Sequence, residues 1–192
     1  MAAWAAQAGH RVGVHGVTNL GMLPNHESAW CEWLLEPRLQ RLLGYKLGDD
    51  YRVSHCSSLV NNPGCDRGYL HADWPYNGTN GSRIQPPYPD VLLAISSLWF
   101  LTDFSARSGS TVVVPRSHRT LDNPADGHLK PSGVDPDRPQ PGEVHVSGPA
   151  GSVLLWDSRL WHRVSDRWFG FDPSNPFLHC IHACGIDWAP AH

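Results

Sequence analysis

The spacing of apolar residues predicts a helix near the start of the chain. Between residues 25 and 43, apolar side chains recur at intervals close to the helical repeat, which places them on one face. These apolar positions are Trp30, Leu34, Leu35, Leu39, Leu42 and Leu43. Gly44 follows as the expected stop, and Pro37 is expected to break or restart the helix because proline lacks a backbone N–H.

Beyond this helix the pattern changes to short apolar runs separated by turn residues, which predicts β-strands. The predicted strands cover residues 50–59, 68–73, 90–101, 110–115, 143–147, 152–157 and 176–186. The chain also contains 17 prolines and 18 glycines, and both residue types interrupt helices. The pattern therefore indicates an all-β core with a flanking N-terminal helix.

Two long stretches lack a regular pattern. Residues 74–89 are dense in Pro, Gly and Asn, and residues 117–142 combine prolines with charged and turn-forming residues. Loops of this length inside a compact domain are usually lids or binding loops. Because each stretch follows a candidate site element in the sequence, we expect both at the mouth of an active site.

Length, charge and composition narrow the class further. With 192 residues, 41% of them hydrophobic, the chain can bury a substantial core, so we expect a single domain over residues 1–192. A charged fraction of 17% and a net charge of −3 do not indicate a nucleic-acid partner. No run reaches the ~20 apolar residues of a membrane span and no secretory leader is recognisable, so we expect no membrane partner and a cytoplasmic location. The five dispersed cysteines fit a reducing compartment.

A candidate metal site is formed by His71 and Asp73 together with the distant His162. In an extended segment the side chains at i and i+2 share a face, so His71 and Asp73 can meet one ion. His162 follows the apolar run 153–157 and supplies the third ligand from a distant strand. Two imidazoles and one carboxylate bind one face of Fe(II) and leave positions open for a co-substrate and O₂.

The alternative interpretation is that these are ordinary interior histidines. The chain has 12 histidines, and a His-x-Asp triplet by itself is weak evidence for a metal site. His55, His179 and His182 lie in strand-like segments, where hydrogen-bonded interior histidines are expected. They remain second-choice ligands.

Three further blocks, residues 98–104, 108–119 and 151–162, resemble in content and order the phytanoyl-CoA dioxygenase family of Fe(II)- and 2-oxoglutarate-dependent oxygenases. The resemblance covers roughly residues 20–186. Two positions depart from the family pattern, since Arg116 replaces a glycine and Ser152 an acidic residue. Family members usually carry more chain before the first helix, so we expect this chain to be trimmed or to begin late.

The resemblance implies a fold and a ligand set. The fold is a double-stranded β-helix, a jelly roll or cupin-like barrel with the metal inside. His71 and Asp73 match the proximal ligands, His162 matches the distal ligand, and His118 matches a histidine that is not a ligand. Related halogenases have a small residue in place of the acid, so the presence of Asp73 implies a hydroxylase.

The co-substrate site departs from the family pattern. The family holds the far carboxylate of 2-oxoglutarate with an arginine nine to eleven positions after the distal histidine, but this chain has Phe171, Asp172 and Pro173 there. Three explanations stay open: Arg167 substitutes, another basic residue such as Arg107 or Arg119 enters, or the co-substrate site is lost. Arg163, directly after His162, is the other nearby arginine. We expect Trp99 and Thr111 to line the pocket and Ser165 to add a hydrogen bond.

The predicted activity is hydroxylation of a small organic substrate, in which O₂ and 2-oxoglutarate are consumed and succinate and CO₂ released. We expect Trp74, Tyr76 and Tyr88 to face the substrate, although such aromatics can equally cover the barrel mouth. Two alternatives remain: a catalytically silent jelly-roll binding protein without a co-substrate site, and a cupin-like metalloenzyme that does not use 2-oxoglutarate. The sequence does not identify the substrate or the oligomeric state.

Overall fold

The structure, a computed structural model, describes residues 11–12, 17–21, 23–61, 67–74, 84, 86–125, 133–165 and 179–188. In residues 11–12, 17–18, 60–61 and 179–188 it describes the backbone only. No helix in these ranges is long and apolar enough to cross a membrane.

Within the described residues, two helices precede the main strands. They are α1 (Ala29–Leu34) and α2 (Pro37–Leu47), and the same part of the chain has three 3₁₀ turns, at Leu23–Asn25, Ala106–Ser108 and Ser117–Arg119. The strands in chain order are β1 (Arg11–Val12), β2 (Val17–Gly21), β3 (Tyr51–Asn61), β4 (Ala94–Phe100), β5 (Thr111–Val113), β6 (Val144–His145), β7 (Val153–Asp157), β8 (His162–Val164) and β9 (His179–Trp188).

The helix predicted over residues 25–43 is therefore divided at Pro37. Pro37 is the first residue of α2, where a missing N–H costs nothing, and the carboxylate of Glu36 accepts the N–H of Leu39 at 2.8 Å. The predicted stop at Gly44 is wrong, because α2 continues to Leu47, which is buried. The helix ends instead at Gly48, whose φ of 83° lies in the left-handed region that favours glycine.

The strands form two antiparallel sheets. One has six strands in the order β1-β2-β3-β9-β4-β7, and the other has three in the order β6-β5-β8. Backbone pairing within the described residues gives these two separate sheets and no closed barrel. The ring of Trp156 on β7 lies 5.3 Å from that of His162 on β8, so the two sheets contact each other at this point.

Each predicted strand overlaps an observed strand, except the one at residues 68–73. That segment forms only an isolated bridge between His71 and His162. Its backbone donors are divided among four neighbours: Gly68 and His71 donate to β8, Leu70 to Pro136, Ala72 to the side chain of Asn123 and Asp73 to Ser158. A continuous ladder therefore does not form. Strands β1, β2 and β8 were not predicted by the hydrophobic pattern.

Strand β4, which lies between β9 and β7, separates two apolar layers. Ile95 packs against Leu39, Leu43 and Leu47 of α2, whereas Leu98 and Phe100 pack on the opposite side with Phe104 and Trp156. Alternation along the strand places Ser96 on the same side as Leu98. The second layer, on the side away from the helices, is the one next to His162.

The two irregular stretches contain one 3₁₀ turn, Ser117–Arg119, and no strand or α-helix in their described parts. Residues 75–83 and 126–132 lie outside the described residues. The later stretch is nevertheless attached to the core, because the hydroxyl of Ser117 accepts the N–H of Trp161 at 2.7 Å.

Candidate metal centre

Three potential metal ligands meet where the two sheets contact. One nitrogen each of His71 and His162 and one oxygen of Asp73 lie within 4.8 Å of one another. Nε2 of His71 is 3.8 Å and Nε2 of His162 is 3.5 Å from Oδ1 of Asp73. The side chains are 31%, 7% and 13% exposed for His71, His162 and Asp73, so the cluster is enclosed on the His162 side and open on the His71 side.

The backbone brings the two histidines together. His71 and His162 exchange both backbone hydrogen bonds of their bridge, at 3.0 and 2.8 Å, and their ring centroids are 4.4 Å apart. Partners in such a bridge point to the same face of the sheet. The two histidines are therefore brought together by an isolated bridge, whereas the sequence pattern predicted a regular strand at residues 68–73.

Hydrogen bonds set the tautomer of each histidine. Nδ1 of His71 lies 3.1 Å from the carbonyl of Tyr69, and Nδ1 of His162 lies 2.9 Å from the carbonyl of Leu160. A carbonyl can only accept, so each Nδ1 carries the hydrogen. In a neutral ring Nε2 then has a lone pair, and in both residues Nε2 is the nitrogen near Asp73.

The segment carrying His71 and Asp73 is held from both sides. The side-chain amide of Asn123 accepts the N–H of Ala72 at 3.0 Å and donates to its carbonyl at 2.9 Å. The N–H of Asp73 donates to the carbonyl of Ser158 at 2.9 Å, and the hydroxyl of Ser96 donates to Oδ2 of Asp73 at 2.7 Å. These contacts fix the position of the carboxylate relative to the two rings.

The two histidines differ in their electrostatics. Burial, assisted by the neighbouring His162, lowers the pKa of His71 to about 4. Burial also opposes charge on His162, but the carboxylate of Asp73 and the carbonyl of Leu160 outweigh it, so the pKa of His162 is raised. His71 is therefore neutral near pH 7, the form in which imidazole binds a metal.

His55, a second-choice ligand, lies within electrostatic reach of the centre. Burial lowers the pKa of His55, and the charge of Asp73 partly offsets this shift. It does not belong to the cluster of three. The side chains of His179 and His182 lie outside the described residues.

The residues predicted to line a co-substrate pocket are placed differently from one another. In the pairing of β5 with β8, Val113 lies opposite His162 and Thr111 opposite Val164, so Thr111 shares the sheet face of His162. Trp99, which was also expected to line the pocket, is placed elsewhere. It packs against Trp33, with ring centroids 5.6 Å apart, and belongs to the layer that faces the helices.

Alternation along β8 directs Arg163 away from His162, so Arg163 points away from the cluster. Its Nη2 donates to Oε2 of Glu143 at 2.5 Å, and only 3% of the residue is exposed. Ser165 is two positions further along this side and is also buried. Arg107 and Arg119 are exposed, and Arg167 lies outside the described residues.

The predicted substrate-facing aromatics include two that are buried. Tyr88 is 2% exposed and Trp74 is 9% exposed, and their rings meet edge to face at 6.1 Å. They pack with Ala94 and Leu93 instead of presenting their rings to solvent. Their burial favours a packing role for these two rings over contact with a substrate. Tyr76 lies outside the described residues.

The sequence pattern did not point to Ser96, Ser158 and Asn123, which hold Asp73 and its neighbour, or to Tyr69. The ring of Tyr69 lies 5.2 Å from that of His71 on the open side of the cluster, and the residue is 48% exposed. One signal was available: Ser96 and Ser97 are polar residues inside an otherwise apolar strand, where an unpartnered hydroxyl is costly.

Comparison with known proteins identifies the family of this chain. The model of the family described as phytanoyl-CoA dioxygenase (PhyH) matches residues 5–165. A dioxygenase, af480, of Aspergillus fumigatus is 29% identical over 142 residues, which are 73% of this chain and 40% of that protein. The chain thus spans two fifths of the length of this relative.

Solved structures show the same fold at low sequence identity. The carbocyclase SnoK of nogalamycin biosynthesis, a non-haem enzyme dependent on α-ketoglutarate (2-oxoglutarate), matches with a TM-score of 0.67 and 17% identity, over 97% of this chain and 71% of SnoK. HygX of Streptomyces hygroscopicus, solved with nickel, 2-oxoglutarate and hygromycin B, matches with a TM-score of 0.57 and 18% identity, over 86% of this chain and 68% of HygX. Because the family model covers most of the sequence, the chain belongs to the phytanoyl-CoA dioxygenase family.

Proposed function

We propose that this protein is an Fe(II)- and 2-oxoglutarate-dependent oxygenase that hydroxylates a small organic substrate. In this proposal His71, Asp73 and His162 are the iron ligands. The observation that carries it is the cluster itself: two imidazoles whose Nε2 atoms lie near one carboxylate oxygen, in a chain of this family.

The donor set fits a divalent metal. Bonds from imidazole and carboxylate to a first-row metal such as zinc are about 2.0–2.2 Å long, so two ligands of one ion lie about 3 to 4.4 Å apart. The distances of 3.5 and 3.8 Å from Oδ1 of Asp73 fall in that range. Two histidines and one carboxylate with an open side are typical of non-haem Fe(II) oxygenases.

Bound at this centre, Fe(II) would supply the chemistry that couples decarboxylation of 2-oxoglutarate and reduction of O₂ to hydroxylation, with release of succinate and CO₂. The chain holds the three ligands on one side and leaves the side of His71 and Tyr69 for substrate to approach. On the enclosed side, Trp156 lies against His162 and excludes water from the reacting groups.

For the co-substrate, we assign Thr111 to the pocket, because it shares the sheet face of His162. We assign Arg167 to the far carboxylate of 2-oxoglutarate; Ser165, which lies on the same side of β8 as Arg163, is not assigned to the pocket. Support for Arg167 is by elimination: Arg163 points to the other face of the sheet, and Arg107 and Arg119 are exposed.

The proposal includes the architecture around the centre. We infer that the two sheets are the halves of a double-stranded β-helix and that residues 1–192 form one domain. The TM-score of 0.67 to SnoK over 97% of this chain supports that fold. The hygromycin B bound to HygX supports a small organic molecule as the substrate class, and Asp73, in place of the small residue of halogenases, supports hydroxylation.

A catalytically silent metal-binding protein is the second candidate. It is favoured by one observation: the positions where the family carries its co-substrate arginine hold Phe171, Asp172 and Pro173. In that case the metal would bind, but 2-oxoglutarate would not.

Succinate production tests the proposal. The protein is incubated with Fe(II), O₂ and 2-oxoglutarate, and succinate is measured for the wild type, Asp73→Ala, His162→Ala and, as a control, His26→Ala, since His26 is exposed. We expect slow turnover without substrate that falls more than about a hundredfold in both cluster variants and is unchanged in His26→Ala. Absence of both turnover and metal-dependent 2-oxoglutarate binding in the wild type would overturn the oxygenase in favour of the silent protein.

A further inference from the structure

We propose that Ser96 and Ser158, here called the serine pair, are positioning residues that orient the Asp73 carboxylate toward the metal. The inference rests on the proposed function in one respect, namely that a metal occupies the cluster. It assigns to this chain a hydrogen-bonded support behind the carboxylate ligand, formed by Ser96 within β4 and by Ser158 directly after β7.

The hydrogen bonds of the serine pair have a defined direction. Oγ of Ser96 lies 2.7 Å from Oδ2 of Asp73 and 2.8 Å from Oγ of Ser158. An ionised carboxylate can only accept, so the hydrogen of Ser96 goes to Asp73. The hydroxyl of Ser158 must then donate to Ser96, which produces a chain from Ser158 through Ser96 to Asp73.

This chain leaves the other carboxylate oxygen facing the histidines. With Oδ2 bound by Ser96, Oδ1 is the atom that lies 3.5 and 3.8 Å from the two Nε2 atoms. Hydrogen bonds to the outer atoms of a metal ligand fix its orientation, and their loss typically reduces metal affinity 10- to 100-fold. The serine pair therefore selects which oxygen is offered to the ion.

The serine pair is itself rigidly placed. Both residues are 0% exposed. Ser96 lies within β4 and is paired with Trp156 of β7, while the N–H of Ser158 donates to Ala94 at 3.1 Å. The carbonyl of Ser158 accepts the N–H of Asp73 at 2.9 Å and that of Trp74 at 3.0 Å. Residue 158 thus positions the backbone of Asp73 as well as, through Ser96, its side chain.

The neighbouring Ser97 provides a matched control. It is 1% exposed and lies in the same strand, but alternation places its side chain on the opposite side. There Oγ of Ser97 accepts the indole N–H of Trp99 at 3.3 Å. Removal of either hydroxyl leaves a similar defect in the strand, yet only removal of the Ser96 hydroxyl reaches the carboxylate of Asp73.

Titration of the metal-free protein with Co(II), followed by the visible absorption of the bound ion, tests the inference without any turnover. We expect Ser96→Ala to weaken Co(II) binding about 10- to 100-fold and to change its absorption spectrum. Ser158→Ala should weaken binding less, by several fold, because it removes only the donor to Ser96. Ser97→Ala should bind within about twofold of wild type, and Ser96→Thr, which retains the hydroxyl, should restore most of the affinity.

The outcomes separate this inference from the proposed function. A wild type that does not bind Co(II) would overturn both. A wild type that binds, with Ser96→Ala within twofold of it, would overturn the positioning role alone, as would an equal loss in Ser96→Ala and Ser97→Ala. If Ser96→Ala does not fold, as judged by its thermal unfolding, Ser158→Ala decides: unchanged affinity and spectrum in that variant would overturn the inference.

Discussion

Single side chains connect segments of this protein that are distant in sequence, and Arg159 is the clearest case. Its Nε and Nη2 donate to the two carboxylate oxygens of Asp157 at 3.1 and 2.7 Å. Its Nη1 donates to Asp90 and to the carbonyl of Pro89. These hydrogen bonds to the Asp157 carboxylate raise the pKa of Arg159, so the guanidinium stays charged. Arg159 thus joins Pro89 and Asp90, which precede β4, to the end of β7, directly beside Ser158.

Replacing this arginine should destabilise the fold. Arg159→Ala leaves the carboxylate of Asp157, whose side chain is 18% exposed, without its bidentate partner, so we expect a loss of about 3 kcal/mol in the free energy of unfolding. Urea denaturation measures this value. Arg138→Ala is the control, because its ion pair with Asp135 joins side chains 81% and 51% exposed and should contribute less than about 1 kcal/mol. Equal losses in the two variants would contradict the role given to Arg159.

At the scale of elements, α2 acts as a cover for the six-stranded sheet. Its apolar positions Leu39, Leu43 and Leu47 recur at intervals of four and pack against Ile95 of β4. Tyr45, on the outer side of the same helix, is 81% exposed. Since few helices of this length are stable alone, the packing of this face, more than helix propensity, holds α2 in place.

The contribution of this packing can be measured at one residue. Leu43 is 0% exposed, so Leu43→Ala should leave a cavity and reduce the free energy of unfolding by about 2–5 kcal/mol. Tyr45→Ala in the same helix should change it by no more than about 0.5 kcal/mol. Chemical denaturation of both variants gives the comparison. A loss below 1 kcal/mol for Leu43→Ala would mean that α2 does not cover the sheet as described.

At the scale of the whole molecule, the candidate metal centre depends on the contact between the two sheets. His162 lies in the three-stranded sheet and His71 lies beside it, whereas Asp73 is held by Ser96 of the six-stranded sheet. An ion bound by all three residues would link the sheets. Because the unfolded chain cannot present this arrangement, metal binding should stabilise the folded state.

A thermal shift experiment measures that linkage. Free Co(II) at a hundredfold excess over its Kd should add about 2.7 kcal/mol and raise the unfolding temperature by roughly 5–10 °C. Asp73→Ala should show no such shift, and a chelator should reverse it in the wild type. The same increase in Asp73→Ala would place the bound metal elsewhere in the molecule.

The sequence predicted local features well because they depend on neighbouring residues. Six of the seven predicted strands overlap observed strands, and the break at Pro37 follows from its missing N–H. The sequence pattern failed where tertiary contacts decide. One place is Gly44, where the helix continues because Leu47 is buried, and the other is residues 68–73, whose donors are divided among β8, Pro136, Asn123 and Ser158. The hydrophobic pattern also did not predict strands β1, β2 and β8.

The sequence alone was enough to identify His71, Asp73 and His162 as candidate ligands, because a metal site of this kind requires two imidazoles and a carboxylate. Only the tertiary structure decided which side chains surround them. The contact of Asp73 with Ser96, the turn of Arg163 away from His162 and the burial of Tyr88 all depend on strand register and on which elements pack together. A shift of one residue in register would reverse the directions of Ser96 and Arg163, which lie in strands, and no local pattern in the chain specifies that register.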